Sequence, residues 1–117
     1  MGYCFGGAAV LESARAGADV KGIVTFHGGL TTPNGQSYAD TKAPIMVFHG
    51  TADTAISMQD FAQLATELEE YNVDHEMITY SGAPHAFTVF GSQRYHEVAD
   101  TRSWQSFVEF LENTTKI

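Results

Sequence analysis

The residues of this 117-residue chain best suited to chemistry are a cysteine, a histidine and an aspartate, each in glycine- or proline-rich sequence. Cys4 is the single cysteine and lies within G-Y-C-F-G-G at positions 2–7. The pattern G-x-C-x-G is typical of a sharp strand-to-helix turn that holds a nucleophile in a strained conformation. We expect a side chain at Gly2 or Gly6 to collide with neighbouring backbone there. An inert, buried thiol is the alternative interpretation of Cys4.

A thiol nucleophile has to lose its proton. The free N–H groups and the dipole of a helix starting near Gly6 are expected to favour a thiolate at Cys4. A base must take the proton, and an acceptor must fix the tautomer of that base. His85 suits the base because it lies in the loop sequence S-G-A-P-H-A-F, and Asp53 suits the acceptor because it ends the turn sequence H-G-T-A-D. The chain order nucleophile, acid, histidine is that of the α/β-hydrolases.

The elements that must position these residues alternate along the chain. We predict three helices and three strands: helices over 6–17, 57–71 and 96–112, and strands over 20–26, 45–48 and 73–80. The first two strands are apolar on both faces, which is typical of parallel strands covered by helices on both sides. The alternation predicts an α/β fold with a mainly parallel sheet of about three strands flanked by helices. Residues that follow such strands gather at one edge of the sheet, where Cys4, Asp53 and His85 are expected to meet.

Two of the helices carry recognisable side-chain patterns. Ser57 is placed to cap the second helix, with Asp60 three residues later. In the third helix, Trp104, Phe107, Val108 and Leu111 recur at helical spacing, which predicts that they share one face; Trp104, Phe107 and Phe110 are expected in the core or at an interface.

Composition narrows the function classes. A hydrophobic fraction of 44% predicts one globular domain over 1–117, and the net charge of −8 argues against a nucleic-acid partner, which needs a basic surface. The sequence contains no apolar run long enough to span a membrane and no signal peptide. One cysteine forms no internal disulfide, which favours a reducing, cytoplasmic location.

Three segments, G-Y-C-F-G-G, H-G-T-A-D and P-H-A-F, together resemble the motifs of the dienelactone hydrolase family, and the resemblance runs over essentially all 117 residues. It implies hydrolysis of carboxylic esters or lactones through an acyl-thioester, without a metal or organic cofactor. By the same resemblance Cys4 is the nucleophile, His85 the general base and then acid, and Asp53 the acid of the triad. The backbone N–H of Phe5 is then an oxyanion donor. A carbohydrate (acetyl) esterase of the same fold is an alternative.

The sequence departs from the family at its front end, where Met1 is only three residues before Cys4. Family members place several strands and helices before the nucleophile. The resemblance therefore implies a truncated, partial α/β-hydrolase fold that lacks its N-terminal half and a second oxyanion donor. The strand at 20–26 is expected to lack a neighbour, which predicts a homo-oligomer formed through the exposed sheet edge or exchanged elements. A self-assembling module with little or no catalysis is the other functional alternative.

The remaining aromatic residues and histidines give weaker signals. Tyr38 and Phe87 are candidates for contacts to the acyl group of a substrate, and each suits the core equally well. No metal site is expected, because His27, His49 and His85 lack paired cysteines or an H-x-x-x-H spacing. His49 is expected to steady the turn that carries Asp53, and the strand that precedes His27 is the wrong one for an oxyanion donor.

Overall fold

The fold positions the candidate residues through a short run of alternating elements, seen in a computed structural model that describes residues 1–115. The strands and helices in chain order are β1 (Gly2–Tyr3), α1 (Phe5–Arg15), β2 (Ile23–Phe26), β3 (Ile45–Gly50), α2 (Met58–Glu70), β4 (His75–Tyr80) and α3 (Glu97–Thr114). All six predicted elements are present, with ends that differ by a few residues. The seventh, β1, was not predicted.

All strands run parallel in one sheet with the order β1-β2-β3-β4. The prediction that the strand around 20–26 lacks a neighbour is wrong at its carboxyl end. There β1 pairs Gly2 with Thr25 and Tyr3 with Phe26. The two residues before the elbow are extended, so they form a short edge strand that covers only half of β2.

Helices cover both faces of this sheet. On one face α1 and α2 enclose a core with alternate strand residues: Leu11, Ala14, Ile23, Ile45, Val47, Leu64 and Leu68. On the other face α3 packs against the intervening strand residues: Val24, Phe26, Met46, Phe48, Ala99 and Phe107. Strands β2 and β3 are buried throughout, as their continuous apolar sequence predicted. The result is the α/β architecture expected from the sequence.

One predicted helix cap is present, and the apolar face predicted for α3 is only partly buried. The Ser57 hydroxyl accepts a hydrogen bond from the Asp60 N–H at 3.1 Å and caps α2 as predicted. In α3, Phe107 is buried, whereas Trp104 and Leu111 are 51% and 44% exposed. The face that packs on the sheet presents Ala99 and Phe107 with the small polar Ser103 between them. Among residues 1–115, no helix is long and apolar enough to cross a membrane.

Candidate active site

Four side chains meet at the carboxyl edge of the sheet because each follows a different strand. Cys4 follows β1, His27 follows β2, Asp53 follows β3 and His85 follows β4. Backbone hydrogen bonds hold the first two strand ends in place: the Cys4 N–H donates to the Phe26 carbonyl at 3.1 Å, and the His27 N–H donates to the Phe48 carbonyl at 2.8 Å. The site is therefore built on the sheet, at the position where parallel sheets place their sites.

The turn at Cys4 has the strained geometry that its glycine pattern predicted. Cys4 has φ 51° and ψ −119° and is the N-cap residue of α1. Such a positive φ is costly for a residue with a side chain and is retained mainly where function requires it. A Cβ at Gly2 would collide with the carbonyl of Gly6, as predicted.

The prediction for Gly6 is wrong, and the glycine that needs its missing side chain is Gly7. A Cβ at Gly6 would meet nothing within 4 Å outside the neighbouring backbone of α1 itself. A Cβ at Gly7 would lie 2.9 Å from the Cα of Gly28 and would collide with the hydroxyl of Thr25. Gly7 and Gly28 thus allow α1 to approach the end of β2, which brings His27 next to Cys4.

Asp53 and His85 form a hydrogen-bonded acid–histidine pair. The Nδ1 atom of His85 donates to Oδ2 of Asp53 at 2.9 Å, while Oδ1 accepts the N–H groups of Ala55 and Ile56, both at 2.8 Å. Burial raises the pKa of Asp53, but the hydrogen bonds from Ile56, His85 and Ala55 outweigh it and hold that pKa below its ordinary value. The carboxylate is therefore ionised and fixes His85 with Nε2 free.

The Asp53 turn is tied to neighbouring elements. His49 donates from Nε2 to the Ile56 carbonyl at 3.0 Å, so it steadies this turn as predicted. The Ala52 N–H donates to the Ala83 carbonyl at 3.0 Å, which connects the turn to the loop that carries His85. The relative position of Asp53 and His85 is thus set by the ends of β3 and β4.

The hydrogen-bond partner of the Cys4 thiol is His27. The Sγ atom of Cys4 lies 3.3 Å from Nδ1 of His27. One ring nitrogen of His85 belongs to the same cluster, and the three atoms all lie within 4.8 Å of one another. Cys4 and His85 are therefore neighbours, with His27 closer to the sulfur.

His27 is a buried histidine held from both sides. It is fully buried with φ 40°, and its Nε2 lies 2.8 Å from the hydroxyl of Thr88. Burial and the nearby His85 lower the pKa of His27 to about 4, so the ring is neutral at physiological pH. Since a neutral imidazole has one N–H, Cys4 and Thr88 take opposite roles, one donating to the ring and the other accepting from it.

The electrostatics at Cys4 oppose the predicted thiolate. Burial and the negative charge of Asp53 raise the pKa of the Cys4 thiol, and the positive charge of Arg94 lowers it by less. The environment of the side chain thus favours the protonated thiol despite the helix start. A base has to take this proton before the sulfur can act as a nucleophile.

The other predicted site residues have different positions. Phe5 is the first residue of α1, where N–H groups have no partner within the helix, and its ring is 87% exposed. Tyr38 is buried in the core on the α1 and α2 face, where its hydroxyl accepts a hydrogen bond from Arg15 at 2.9 Å. Phe87 is buried with its ring 4.9 Å from that of His27. Both predicted substrate-contact residues therefore pack inside the chain, and the structure does not bring Tyr38 to Cys4.

Two residues near the thiol were not included in the predicted site. From the sequence, the strand that precedes His27 is the wrong one for an oxyanion donor, yet β2 is the direct neighbour of β1, so its end lies beside the elbow. The strand β1 has only two residues and gives no sequence signal for this pairing. Arg94 acts on Cys4 only through its charge and lies in a loop with no motif that distinguishes it.

A family model and several known proteins match the part of the chain that carries these four residues. A sequence model described as the dienelactone hydrolase family matches residues 1–115. A Synechocystis protein named "Putative carboxymethylenebutenolidase" is 30% identical over 99% of this chain and 50% of its own length. An uncharacterized Caenorhabditis elegans protein is 32% identical over 95% of this chain and 76% of its own length.

Solved structures agree with the fold. The crystal structure of a dienelactone hydrolase-like promiscuous phosphotriesterase from metagenomic libraries matches with a TM-score of 0.87 at 31% identity, covering 97% of this chain and 50% of that one. An α/β-hydrolase from a deep-sea metagenome library has a TM-score of 0.79 at 13% identity. The chain thus spans about half the length of its first curated relative and of these structures, which confirms a partial α/β-hydrolase fold.

Proposed function

The chain belongs to the dienelactone hydrolase family, and from this membership we propose that it hydrolyses small carboxylic esters or lactones with Cys4, His85 and Asp53 as its catalytic residues. The observation that carries the proposal is the 2.9 Å hydrogen bond between His85 and Asp53, with a His85 ring nitrogen within 4.8 Å of the Cys4 sulfur. An acid–histidine hydrogen bond beside a thiol on a strained turn is the arrangement that nucleophilic catalysis requires.

In the first step, Nε2 of His85 takes the Cys4 proton as the sulfur attacks the carbonyl carbon of the substrate. Asp53 keeps the other proton on Nδ1 and stabilises the imidazolium that forms. The Phe5 N–H at the start of α1 donates to the carbonyl oxygen as it becomes negative. The imidazolium then protonates the leaving alkoxide, and an acyl-thioester remains on Cys4.

In the second step, the same residues act on water. Nε2 of His85 takes a proton from a water molecule, whose oxygen attacks the thioester carbon. The tetrahedral intermediate collapses, the C–S bond breaks, and the sulfur regains its proton from His85. The carboxylic acid leaves, and no metal or organic cofactor enters either step.

For the attack to occur, the Cys4 thiol has to leave its contact with His27 and form one with His85. Its contact in the resting site is His27 Nδ1 at 3.3 Å. Rotation of the Cys4 side chain about Cα–Cβ moves the sulfur while the strained turn stays in place. The His85 side chain is 25% exposed, so a substrate can reach the space between the sulfur and this ring.

The substrate class within this chemistry is set by what fits at the exposed edge of the site. Carbohydrate acetyl esters share the reacting carbonyl group and are the alternative to lactones. The relative with a TM-score of 0.87 is named a promiscuous phosphotriesterase, so a phosphotriester belongs in the same substrate panel. A cavity of about 260 Å³ lined by Pro44, Asp74 and Phe110 lies at the opposite edge of the sheet, away from these reacting groups.

We propose further that the chain acts in a reducing compartment such as the cytoplasm, since it has a single cysteine.

We also propose that the chain self-associates through the sheet edge at β1. The two-residue strand β1 leaves Ile23 and Val24 without a partner on its side of the sheet. The adjoining groove is lined in part by apolar side chains, among them Phe107 and Leu111. Unpaired strand and apolar surface at one edge favour pairing with a second copy. Sedimentation velocity is expected to show a concentration-dependent oligomer, and a monomer at all concentrations would contradict it.

The experiment that tests the hydrolase is the turnover of a short-chain nitrophenyl ester by the wild-type chain and by Cys4→Ala. We expect the variant to lose at least roughly 1000-fold in kcat/KM, because the nucleophile is removed. His75→Gln, on β4 away from the site, is the matched control and should retain wild-type turnover. Equal background rates for wild type and Cys4→Ala would favour the alternative, an assembling module with little catalysis.

A further inference from the structure

The cluster of Cys4, His27 and His85 contains one more histidine than the proposed catalysis uses. A thiol sulfur and two imidazole nitrogens lie within 4.8 Å of one another, and the distance between Cys4 Sγ and His27 Nδ1 is 3.3 Å. We propose that these three side chains bind a divalent late transition metal, zinc above all, and that the metal-bound form is catalytically inactive. This inference goes beyond the proposed function, since binding does not depend on hydrolysis.

The distances suit a tetrahedral ion. Zinc–sulfur and zinc–nitrogen bonds of about 2.3 and 2.0–2.1 Å place a sulfur and a nitrogen ligand about 3.6 Å apart in a tetrahedral site, and two nitrogen ligands about 3.3 Å apart. The Cys4–His27 distance of 3.3 Å lies within about 0.3 Å of the sulfur–nitrogen spacing. The ligand atom of His85 lies within 4.8 Å of the other two and has to move by at most about 1.5 Å to reach this spacing. A partly exposed side chain in a loop allows that movement.

Both histidines already have the outer partners that metal-binding histidines use. Nδ1 of His85 donates to Asp53, which leaves Nε2 for a metal, and Nε2 of His27 lies 2.8 Å from the Thr88 hydroxyl, which leaves Nδ1. Such hydrogen bonds fix the tautomer and ring orientation of a ligand histidine. His27 and His85 meet edge to face with their ring centroids 5.5 Å apart, so their nitrogens converge from two directions.

The donor set selects the kind of metal. One thiolate with two imidazoles suits zinc, cobalt or copper, whereas magnesium and calcium prefer carboxylate, carbonyl and water oxygens. Three protein ligands leave a fourth position open, and Cys4 and His85 are both partly exposed to solvent. On binding, Cys4 loses its proton to solvent and its sulfur forms a bond to the metal.

A bound metal would stop the proposed catalysis because it uses the same lone pairs as the reaction. A metal on Cys4 Sγ and His85 Nε2 takes both the nucleophile and the proton acceptor of the proposed mechanism. Zinc would therefore inhibit hydrolysis, and a chelator would restore it. This inhibition rests on the proposed function, whereas the binding itself does not, so ester turnover with and without zinc tests the inhibition and a metal titration tests the binding.

The test is a titration of the purified wild-type chain with cobalt(II), followed by its absorption spectrum. We expect a thiolate-to-cobalt charge-transfer band in the near ultraviolet together with the visible bands of tetrahedral cobalt, at one metal per chain. Equimolar zinc should bleach both, because zinc binds such sites more tightly than cobalt. A spectrum without the charge-transfer band would overturn the proposal.

Variants assign the ligands. Cys4→Ser should abolish the charge-transfer band, and His27→Gln should weaken cobalt binding by at least about 10-fold, the lower limit seen even for changes in outer partners. His75→Gln, the matched control on β4, should bind as the wild type does. Unchanged affinity in His27→Gln would contradict the site.

Because His27 is buried, circular dichroism must first show that His27→Gln is folded. His85→Gln, at a partly exposed position, is an independent test of the second ligand, and we expect it to weaken cobalt binding to the same extent. Zinc should also slow alkylation of Cys4 by iodoacetamide in the wild type. Alkylation at an unchanged rate under saturating zinc would exclude metal binding through the sulfur.

Discussion

The two halves of the candidate site differ in how completely their polar groups are paired. In the acid–base half, the Asp53 carboxylate accepts three hydrogen bonds at 2.8–2.9 Å, and His85 is oriented by one of them. In the thiol half, the Cys4 sulfur has one contact at 3.3 Å, to His27, which is itself held by Thr88. The acid–base half is ready for its proposed step, whereas the thiol must exchange its partner.

The two halves differ in where strained backbone lies relative to the reacting side chains. In the thiol half, Cys4 and His27 themselves have positive φ, at 51° and 40°, whereas in the acid–base half the positive φ, 62°, belongs to Ala86 beside His85. Each is a non-glycine residue in a conformation that costs of order 1–3 kcal/mol. Asp53 is held by a turn whose own N–H groups stabilise its charge. The thiol half thus holds its reacting residues in strained backbone, while the acid–base half orients its reacting side chains through hydrogen bonds.

The largest expected effect of breaking the acid–base half comes from Asp53→Asn. The amide no longer holds His85 in the tautomer with Nε2 free, so we expect kcat for the ester substrate to fall by roughly 1000- to 10,000-fold. Asp60→Asn, on the first turn of α2, is the matched control because the cap there uses the backbone N–H of residue 60. Activity in Asp53→Asn close to that of the control would exclude Asp53 as the orienting acid.

A pair of glycine variants tests the thiol half through stability. Gly2→Ala forces a Cβ into the carbonyl of Gly6, and we expect the free energy of unfolding to fall by roughly 2–3 kcal/mol. Gly6→Ala adds the same methyl group to a helical position with open space and should raise that free energy by up to about 1 kcal/mol. Urea denaturation measures both. A similar effect of the two substitutions would show that the elbow does not require Gly2.

The smallest effect is the pH dependence that His27 adds. Its pKa of about 4 in the folded chain lies below the ordinary value of 6.5, so the folded state favours the neutral ring. Above pH 6.5 both states are neutral and the stability is complete. As the pH falls below 6.5 towards 4 the unfolded chain takes up a proton that the folded chain does not, and by pH 5 the stability has decreased by roughly 2 kcal/mol.

Urea denaturation at pH 8 and pH 5 of wild type and His27→Gln measures this term. The variant should lose less stability between the two pH values than the wild type does. Part of the dependence should remain, because burial also lowers the pKa of His49 and gives a change of the same sign. Equal losses in the two proteins would mean that His27 is not held neutral.

The sequence was informative where structure depends on local patterns. Continuous apolar runs predicted β2 and β3, helical spacing predicted α2, and Ser57 predicted the cap of that helix, because these features are decided within a few residues. The glycine pattern around Cys4 predicted its strained turn for the same reason. The dienelactone hydrolase motifs predicted the family and the partial α/β-hydrolase fold.

Tertiary structure decided what depends on neighbours distant in the chain. That Cys4 contacts His27, 23 positions away, follows from the pairing of β1 with β2, and a strand of two residues leaves no periodic signal. The same holds for Gly6, where an added Cβ would meet nothing within 4 Å, and for Trp104, which is exposed, since the surroundings of positions on α1 and α3 are set only by packing. Short-range sequence patterns determine the helices, strands and turns, whereas strand order and helix orientation determine which side chains form hydrogen bonds in the site.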